Sequence, residues 1–155
     1  MVKPNITIFT DGAARGNPGP GGYGVVLISG QFRKELSEGY RLTTNNRMEL
    51  LAVIVALEAL KIRGSEVTIY TDSKYVADAV EKGWVFSWVK KEFKNKKNPD
   101  LWRRFLEIYK KHFVKFVWVK GHANNQLNER CDQLAVEASM KKTLKEDEGY
   151  LASLL

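Results

Sequence analysis

The sequence predicts an α/β domain, a mixed β-sheet with helices laid against it. Three observations carry this. The segments Ile6-Thr-Ile-Phe-Thr-Asp-Gly12 and Val67-Thr-Ile-Tyr-Thr-Asp-Ser73 echo each other, rich in β-branched and aromatic residues, and both close on Thr-Asp before a turn-forming residue. Residues Asn46 to Arg63 repeat apolar side chains at helical spacing over a stripe too broad for a surface helix. The elements also run in the order ββ(β)α-β-α-α-α-β-α, which suits a mixed sheet with packed helices.

Taken in order, Ile6–Thr10 reads as the first strand. Residues 16–24 (GNPGPGGYG) form a glycine–proline turn, and they lack the Gly-Lys-Ser/Thr ending of a nucleotide-binding P-loop. Two extended runs follow, Tyr23–Ser29 and Lys34–Leu42, joined at Gly30-Gln31 as a hairpin. In the long helix Leu50, Ile54 and Leu57 share a stripe with Leu51, Val55 and Ala59 beside it, and Gly64 ends it. The Val67 strand leads to helices over Ser73–Glu81 and Trp84–Phe93. Lys94–Asn98 is a basic loop closed by Pro99, and Asp100–Lys111 is a further helix with Leu101, Phe105 and Ile108 inward. Val114–Val119 is a strand, Gly121–Leu127 a polar loop, and Asn128–Met140 the last helix. We expect one domain over residues 1–142, with 143–155 a mixed tail, partly disordered.

A chain of 155 residues, 44% apolar and 28% charged, is long enough to bury a core, and its composition excludes disorder, collagen-like repeats and a disulfide scaffold. No apolar run approaches the ~18 residues of a membrane span. Met1–Asn5 lacks the apolar core of a signal peptide, and the single cysteine, Cys131, suits a reducing compartment, so a cytoplasmic protein is expected. Lys and Arg number 25 against 18 Asp and Glu, a net charge of +7. Residues 82–111 hold ten basic and three acidic residues, the whole of that excess, while the remainder balances. Three of the four tryptophans, Trp84, Trp88 and Trp102, fall in the same window. Cations for phosphates beside flat apolar groups for sugars and bases suit a nucleic-acid surface. An amphipathic helix pair with Trp inward and Lys outward is the plainer account, and it is compatible with binding.

If the two echoing strands lie parallel, Asp11 and Asp72 both reach the carboxyl end of the sheet, where open α/β sheets take their ligands. Side-chain alternation puts Thr7, Phe9 and Asp11 on one face, with Thr68, Tyr70 and Asp72 in the same phase. Two adjacent carboxylates need a divalent cation, a shared proton or a basic partner. Each acid also has an ordinary reading. Asp11-Gly12 is a turn dipeptide, and Asp72 or Ser73 makes a good helix N-cap. Glu49 completes a capping box in Asn46-Arg47-Met48-Glu49, and Asp132 is an acid favoured near a helix start. Spacing alone does not select Glu49 and Asp132 from the other acids. His122 follows Gly121 in a polar loop ten residues before Asp132, whereas His112 looks structural.

Five motifs together resemble one family. They are Thr10-Asp-Gly-Ala with the 16–24 turn, Thr43-Thr-Asn-Asn-Arg-Met-Glu-Leu50, Tyr70-Thr-Asp-Ser, Trp118-Val-Lys-Gly-His-Ala123 and Asn128-Glu-Arg-Cys-Asp132. In this order, from about Ile6 to Met140, they resemble type 1 ribonuclease H of the bacterial kind. The resemblance implies a five-stranded mixed sheet flanked by helices. It implies an endonuclease that hydrolyses the RNA strand of RNA–DNA hybrids with two Mg²⁺ ions, or Mn²⁺ in their place, leaving 5′-phosphate and 3′-hydroxyl ends with little sequence preference. By motif, the acidic ligands fall on Asp11, Glu49, Asp72 and Asp132, and the loop histidine on His122. Substrate contacts fall on Asn17, Thr44, Asn45, Asn46 and Lys74. The family's basic protrusion corresponds to the segment holding Trp84, Trp88, Lys90, Lys91, Lys94, Lys96 and Lys97. A monomer acting on a hybrid, with no membrane partner, is the expectation.

There are departures from the pattern. The stretch between Phe93 and Asp100 is shorter than in the better-known bacterial members, no second histidine follows His122, and Lys74 stands where glutamine is common. Two other readings compete: a basic binding module that has lost the chemistry, and a DNA-directed nuclease of the same superfold. The four acids argue against the first and the Thr-Thr-Asn-Asn-Arg-Met-Glu stretch against the second.

Overall fold

The computed structural model describes residues 3–120 and 125–155. Its five strands are β1 (Asn5–Ala14), β2 (Gly19–Ser29), β3 (Phe32–Thr43), β4 (Glu66–Thr71) and β5 (Phe113–Trp118). They form one sheet in the order β3-β2-β1-β4-β5. The helices are α1 (Asn45–Glu58), α2 (Lys74–Glu81), α3 (Trp84–Lys90), α4 (Pro99–Tyr109), α5 (Gln126–Ser139) and α6 (Glu148–Ser153). β1 pairs antiparallel with β2 and parallel with β4, β2 pairs antiparallel with β3, and β4 pairs parallel with β5. The sheet is therefore mixed, with its parallel half at the centre and one edge.

Strand alternation builds two cores. Ile8, Val25 and Ile69 face α1 and α4 in the larger one, while their neighbours Phe9 and Val26 face α5 with Cys131 and Leu134. α1 is sealed between the sheet and α4. Met48, Leu50, Ala52, Val53, Ile54, Ala56 and Leu57 show no exposed surface, which is why its apolar pattern wraps nearly all round. Burying each large aliphatic chain contributes roughly 1.5–3 kcal/mol, so this helix anchors the fold.

Several ends differ from expectation, and each has a local cause. α1 stops at Glu58 rather than Arg63, and Gly64, at φ +82°, makes the turn into β4 with its N–H donated to the Lys111 carbonyl. α3 stops at Lys90 because Glu92, Phe93 and Asn95 take left-handed conformations, which turn the Phe93 ring into the core. α5 begins at Gln126, two residues early, because the Asn125 side chain accepts the N–H groups of Leu127 and Asn128. His112 is structural, its Nδ1 accepting the Ser65 N–H. Residues 143–155, expected to be a partly disordered tail, instead dock. Lys145 bridges Tyr40, α6 forms, and Asp147 is buried. The partner that holds Asp147 is Arg47, distant in sequence.

Candidate active site

Asp11 lies within β1, which runs on to Ala14, so Asp11-Gly12 is not a turn. The parallel register sets Phe9 opposite Tyr70, and their rings stack at 4.9 Å beneath the sheet end. Two residues further on stand Asp11, within β1, and Asp72, just past the end of β4. Asp72 is free of a capping role because the Ser73 hydroxyl accepts the Val76 N–H instead. Glu49 likewise makes no capping box. Thr44 caps α1 by accepting the Arg47 N–H, which places Glu49 one turn into the helix. From there it points at the two aspartates. The three carboxylates each offer an oxygen within 4.8 Å of the others.

Glycine makes this approach possible. A Cβ on Gly12 would overlap the backbone of Met48 and Glu49, so α1 can lie over β1 only where residue 12 has no side chain. The same device works on the opposite face. Gly24 pairs across from Asp11, and a Cβ there would overlap the Cys131 carbonyl oxygen of α5. α5 thus sits directly on the sheet beside Asp11, with the Cys131 thiol donating to the Phe9 carbonyl at 3.2 Å. Burial pushes that thiol up to about 12, so it is inert. Asp132, the next residue, is half-buried and stands outside the tight group of three, yet its charge is felt at Asp11.

The electrostatics follow from this crowding. Asp11 and Glu49 are each 8% exposed. Burial, then the Asp72 charge, raises the Asp11 carboxyl to about 7. Burial, with Asp11 and Asp72 alongside, holds Glu49 well above the usual carboxylate range. Its buried Oε1 has no hydrogen-bond partner among the described residues. Clustered oxygens, mutual repulsion and an orphaned acceptor fit a hard divalent cation, which prefers oxygen ligands and would relieve all three.

Around this cluster lie the other predicted groups. Asn17, Asn45 and Asn46 are exposed. The Asn17 Oδ1 accepts the Asn45 N–H at 3.0 Å, and the Asn45 Oδ1 accepts the Ala14 N–H at 2.6 Å. The carbonyl ends of Asn17 and Asn45 are thus used in fixing the loop, and among the described residues neither NH₂ has an acceptor. The Trp118 indole donates to the Asp72 carbonyl at 3.1 Å, and the Lys74 ammonium lies over the Trp118 ring at 4.6 Å. His122 lies outside the described residues.

The basic window divides by depth. Trp102 is fully buried and donates to the Tyr75 hydroxyl at 2.8 Å, so it belongs to the core. Trp84 and Trp88 reach the surface, where with Lys91, Lys94 and Lys96 they line a shallow cleft of about 530 Å³. The Lys96 ammonium lies 5.1 Å from the Trp88 ring centre. Lys90, Lys91, Lys94, Lys96 and Lys97 are all exposed. Sequence reasoning gave no role to Arg47, Asp100 and Asp147, which form an ionic cluster in which Arg47 and Asp147 are buried and Asp100 is half-exposed. The one local signal was Asp147 itself, an N-cap residue before a short helix.

With this geometry in hand, comparison with known proteins is direct. A family model described as RNase H matches residues 3–140. A protein named ribonuclease H from Trichodesmium erythraeum (strain IMS101) is 58% identical, covering 96% of this chain and 97% of its own length. One of the same name from Proteus mirabilis (strain HI4320) is 52% identical, covering 98% and 97%. Among solved structures, LC9-RNase H1, described as a type 1 RNase H with the type 2 active-site motif, aligns at a TM-score of 0.83 and 30% identity over 99% of this chain and 82% of that one. LC11-RNase H1 in complex with RNA/DNA hybrid aligns at a TM-score of 0.65 and 31% identity, over 86% and 95%.

Proposed function

The chain belongs to the ribonuclease H family, and we propose that it hydrolyses the RNA strand of RNA–DNA hybrids at the carboxylate cluster, leaving 5′-phosphate and 3′-hydroxyl ends. The observation that carries this reading is the close set of Asp11, Glu49 and Asp72 oxygens, together with a buried Glu49 oxygen that has no hydrogen-bond partner among the described residues. These three, with Asp132, would hold two divalent ions, Mg²⁺ or Mn²⁺. When bound, such ions offset the charge of the phosphodiester, lower the pKa of water and steady the departing oxygen.

The chain's own groups do the rest. Glu49 is fixed by its buried helix, and Asp11 by the Gly12 N–H at 2.8 Å, so the acids are oriented before substrate arrives. Lys74 beside Trp118 presents a cation next to Asp72 for a phosphate oxygen. The amide donors of Asn17, Asn45 and Asn46, with Thr44 next to Asn45 in the chain, hydrogen-bond 2′-hydroxyls and minor-groove edges and so mark the RNA strand. The exposed lysines and tryptophans of residues 84–97 hold the phosphates of the other strand. Such contacts read backbone and shape, which accounts for weak sequence preference. To His122 we assign the transfer of a proton or help with product release. Every group named comes from one chain, which suits a monomer. Its one cysteine is a buried free thiol, which suits the cytoplasm, and among the described residues no helix is long and apolar enough to cross a membrane.

The test is to incubate end-labelled RNA–DNA hybrid, double-stranded RNA and double-stranded DNA with the protein, in Mg²⁺ or EDTA. The expected result is cleavage of the RNA strand of the hybrid alone, abolished by EDTA and by Asp11→Asn or Asp72→Asn. Metal-independent binding with no cutting would make the chain a binding module. Cutting of the DNA duplex would make it a DNA-directed nuclease.

A further inference from the structure

A second cluster of charge lies outside the carboxylate site, around Arg47. This residue is 2% exposed, and a buried cation is tolerated only when its donors are satisfied. Its guanidinium donates to both Asp147 oxygens, at 2.8 and 2.9 Å, and to both Asp100 oxygens, at 2.9 and 2.7 Å. A further bond reaches the Asn98 Oδ1 at 3.3 Å. The Thr43 hydroxyl also donates to Asp147, at 2.6 Å.

The placement of these partners matters more than their number. Asp147 holds Thr43 and Arg47, the two residues that bracket Thr44-Asn45-Asn46. Asp100 and Asn98 stand at the end of the basic loop, and the Asn98 side-chain amide is tied in turn to the Tyr75 hydroxyl at 3.1 Å. One guanidinium thus joins the surface read above as marking the RNA strand to the surface read as holding the other strand. The carboxylate that completes the joint comes from the docked segment 143–155. That segment is anchored by the Arg41 N–H to the Lys145 carbonyl and the Lys145 N–H to the Gly39 carbonyl. Asp147 also caps α6 by accepting the Tyr150 N–H. At Gly149 a Cβ would overlap the Asp100 carboxylate, so α6 closes directly on the cluster. A cleft of about 870 Å³ runs between α6 and Lys96–Lys97, with Asn17, Thr44 and Asn46 along it. The docked segment is therefore one wall of the face on which the nucleic acid is expected.

We propose that Asp147 is a positioning residue for substrate. Acting through Arg47 and Thr43, it sets the distance between the Asn45–Asn46 surface and the basic loop, and so governs hybrid affinity and preference while leaving the chemical step alone. The two strands of a hybrid present phosphates and 2′-hydroxyls at a spacing that differs from those of pure duplexes. A binding face in two halves can measure that spacing only if the halves are held rigidly apart. The inference rests on the reading of those two surfaces as substrate contacts.

The test uses the full chain carrying Asp147→Asn. Asparagine keeps the volume and the capping oxygen but removes the charge that holds Arg47. Hybrid, double-stranded RNA and double-stranded DNA binding are measured by fluorescence anisotropy in EDTA, and KM and kcat with Mg²⁺, at a temperature where circular dichroism shows the variant folded. We expect Kd and KM for the hybrid to rise about ten-fold, the scale of one lost charge-assisted contact, with kcat within about two-fold and a narrowed preference over the pure duplexes. Arg41→Ala breaks only the exposed Arg41–Glu146 pair at 2.7 Å on the same segment and should leave all of these unchanged. A variant with a lower Tm but unaltered Kd and preference would make Asp147 a simple strut and overturn the proposal. Should Asp147→Asn fail to fold, Asp100→Asn loosens the half-exposed side of the same guanidinium, and an unchanged hybrid Kd there overturns it equally. A wild-type chain that binds hybrid no better than DNA duplex overturns the parent reading as well, an outcome visible before any variant is made.

Discussion

At the residue scale, the acids explain why their roles were only half legible. Asp11 and Asp72 were visible as a pair because two strands repeat the same pattern, and strand parity places both at one end. Glu49 was not, because a glutamate near a helix start is ordinarily a cap. Thr44 takes that role one turn earlier, which frees Glu49 for the cluster. Only the family resemblance singled out Glu49 and Asp132. The crowding makes a testable cost. Folding raises Asp11 from its ordinary 3.8 to about 7, so the folded chain binds a proton that the unfolded chain has released over that interval. This contribution to stability is fully present below the lower value and is lost as pH climbs through the upper one. Asp11→Asn removes the penalty. In EDTA at about pH 8 the variant should be more stable than the parent by on the order of 2 kcal/mol, with a flatter dependence of Tm on pH, while cleavage is lost. Calorimetry across the pH range checks it. A parent whose metal-free stability rises from pH 4 to 7 as steeply as the variant's would refute the assignment of the strain to Asp11.

At the element scale, the strands and the long helix were legible because period-two and period-3.6 patterns arise from burial, and burial is written in residue types. Helix ends were less so. They are decided by single side chains such as Asn125 and Thr44 accepting backbone N–H groups, and by left-handed residues such as Phe93, which composition does not reveal. The glycines of the 16–24 stretch were read as a turn, yet Gly24 serves chiefly as the seat of α5. Gly24→Ala should therefore move α5, and Asp132 with it. We expect destabilisation of about 1–3 kcal/mol from overpacking, with a loss of activity larger than that stability change explains. Urea denaturation alongside cleavage assays separates the two effects. A variant equal to the parent in both would show that α5 has room to shift.

At the scale of the whole molecule, charge is sorted by place. The excess sits on residues 82–111, while the acids lie outside it, Asp11 on β1, Glu49 on α1, Asp72 just past the end of β4 and Asp132 on α5. Binding should therefore depend on salt in a way that cutting chemistry does not. If about six basic side chains meet phosphates, log K falls against log salt with a slope near −5. Replacing Lys96 and Lys97 together by alanine should make the slope shallower by about two, and weaken binding to all sequences alike. Anisotropy titrations over a salt series measure this, and an unchanged slope would remove these lysines from the interface. The location of the charge was readable from the sequence. The docking of residues 143–155 was not, because Arg47 and Asp147 meet across a hundred positions, and no local pattern announces a partner that distant.

The same arrangement has a consequence in time. A chain grows from its N-terminus, so Asp11, Glu49, Asp72 and the basic segment all exist before Asp132, and Asp147 follows later still. At ribosomal rates of about 5–20 residues per second, the sixty or so positions from Asp72 to Asp132 take several seconds to add. Only the last twenty or so of these, from Lys111 to Asp132, follow the basic segment, and for those roughly one to four seconds a nascent chain, tethered beside its own messenger, carries the grip for a nucleic acid before it has the finished blade.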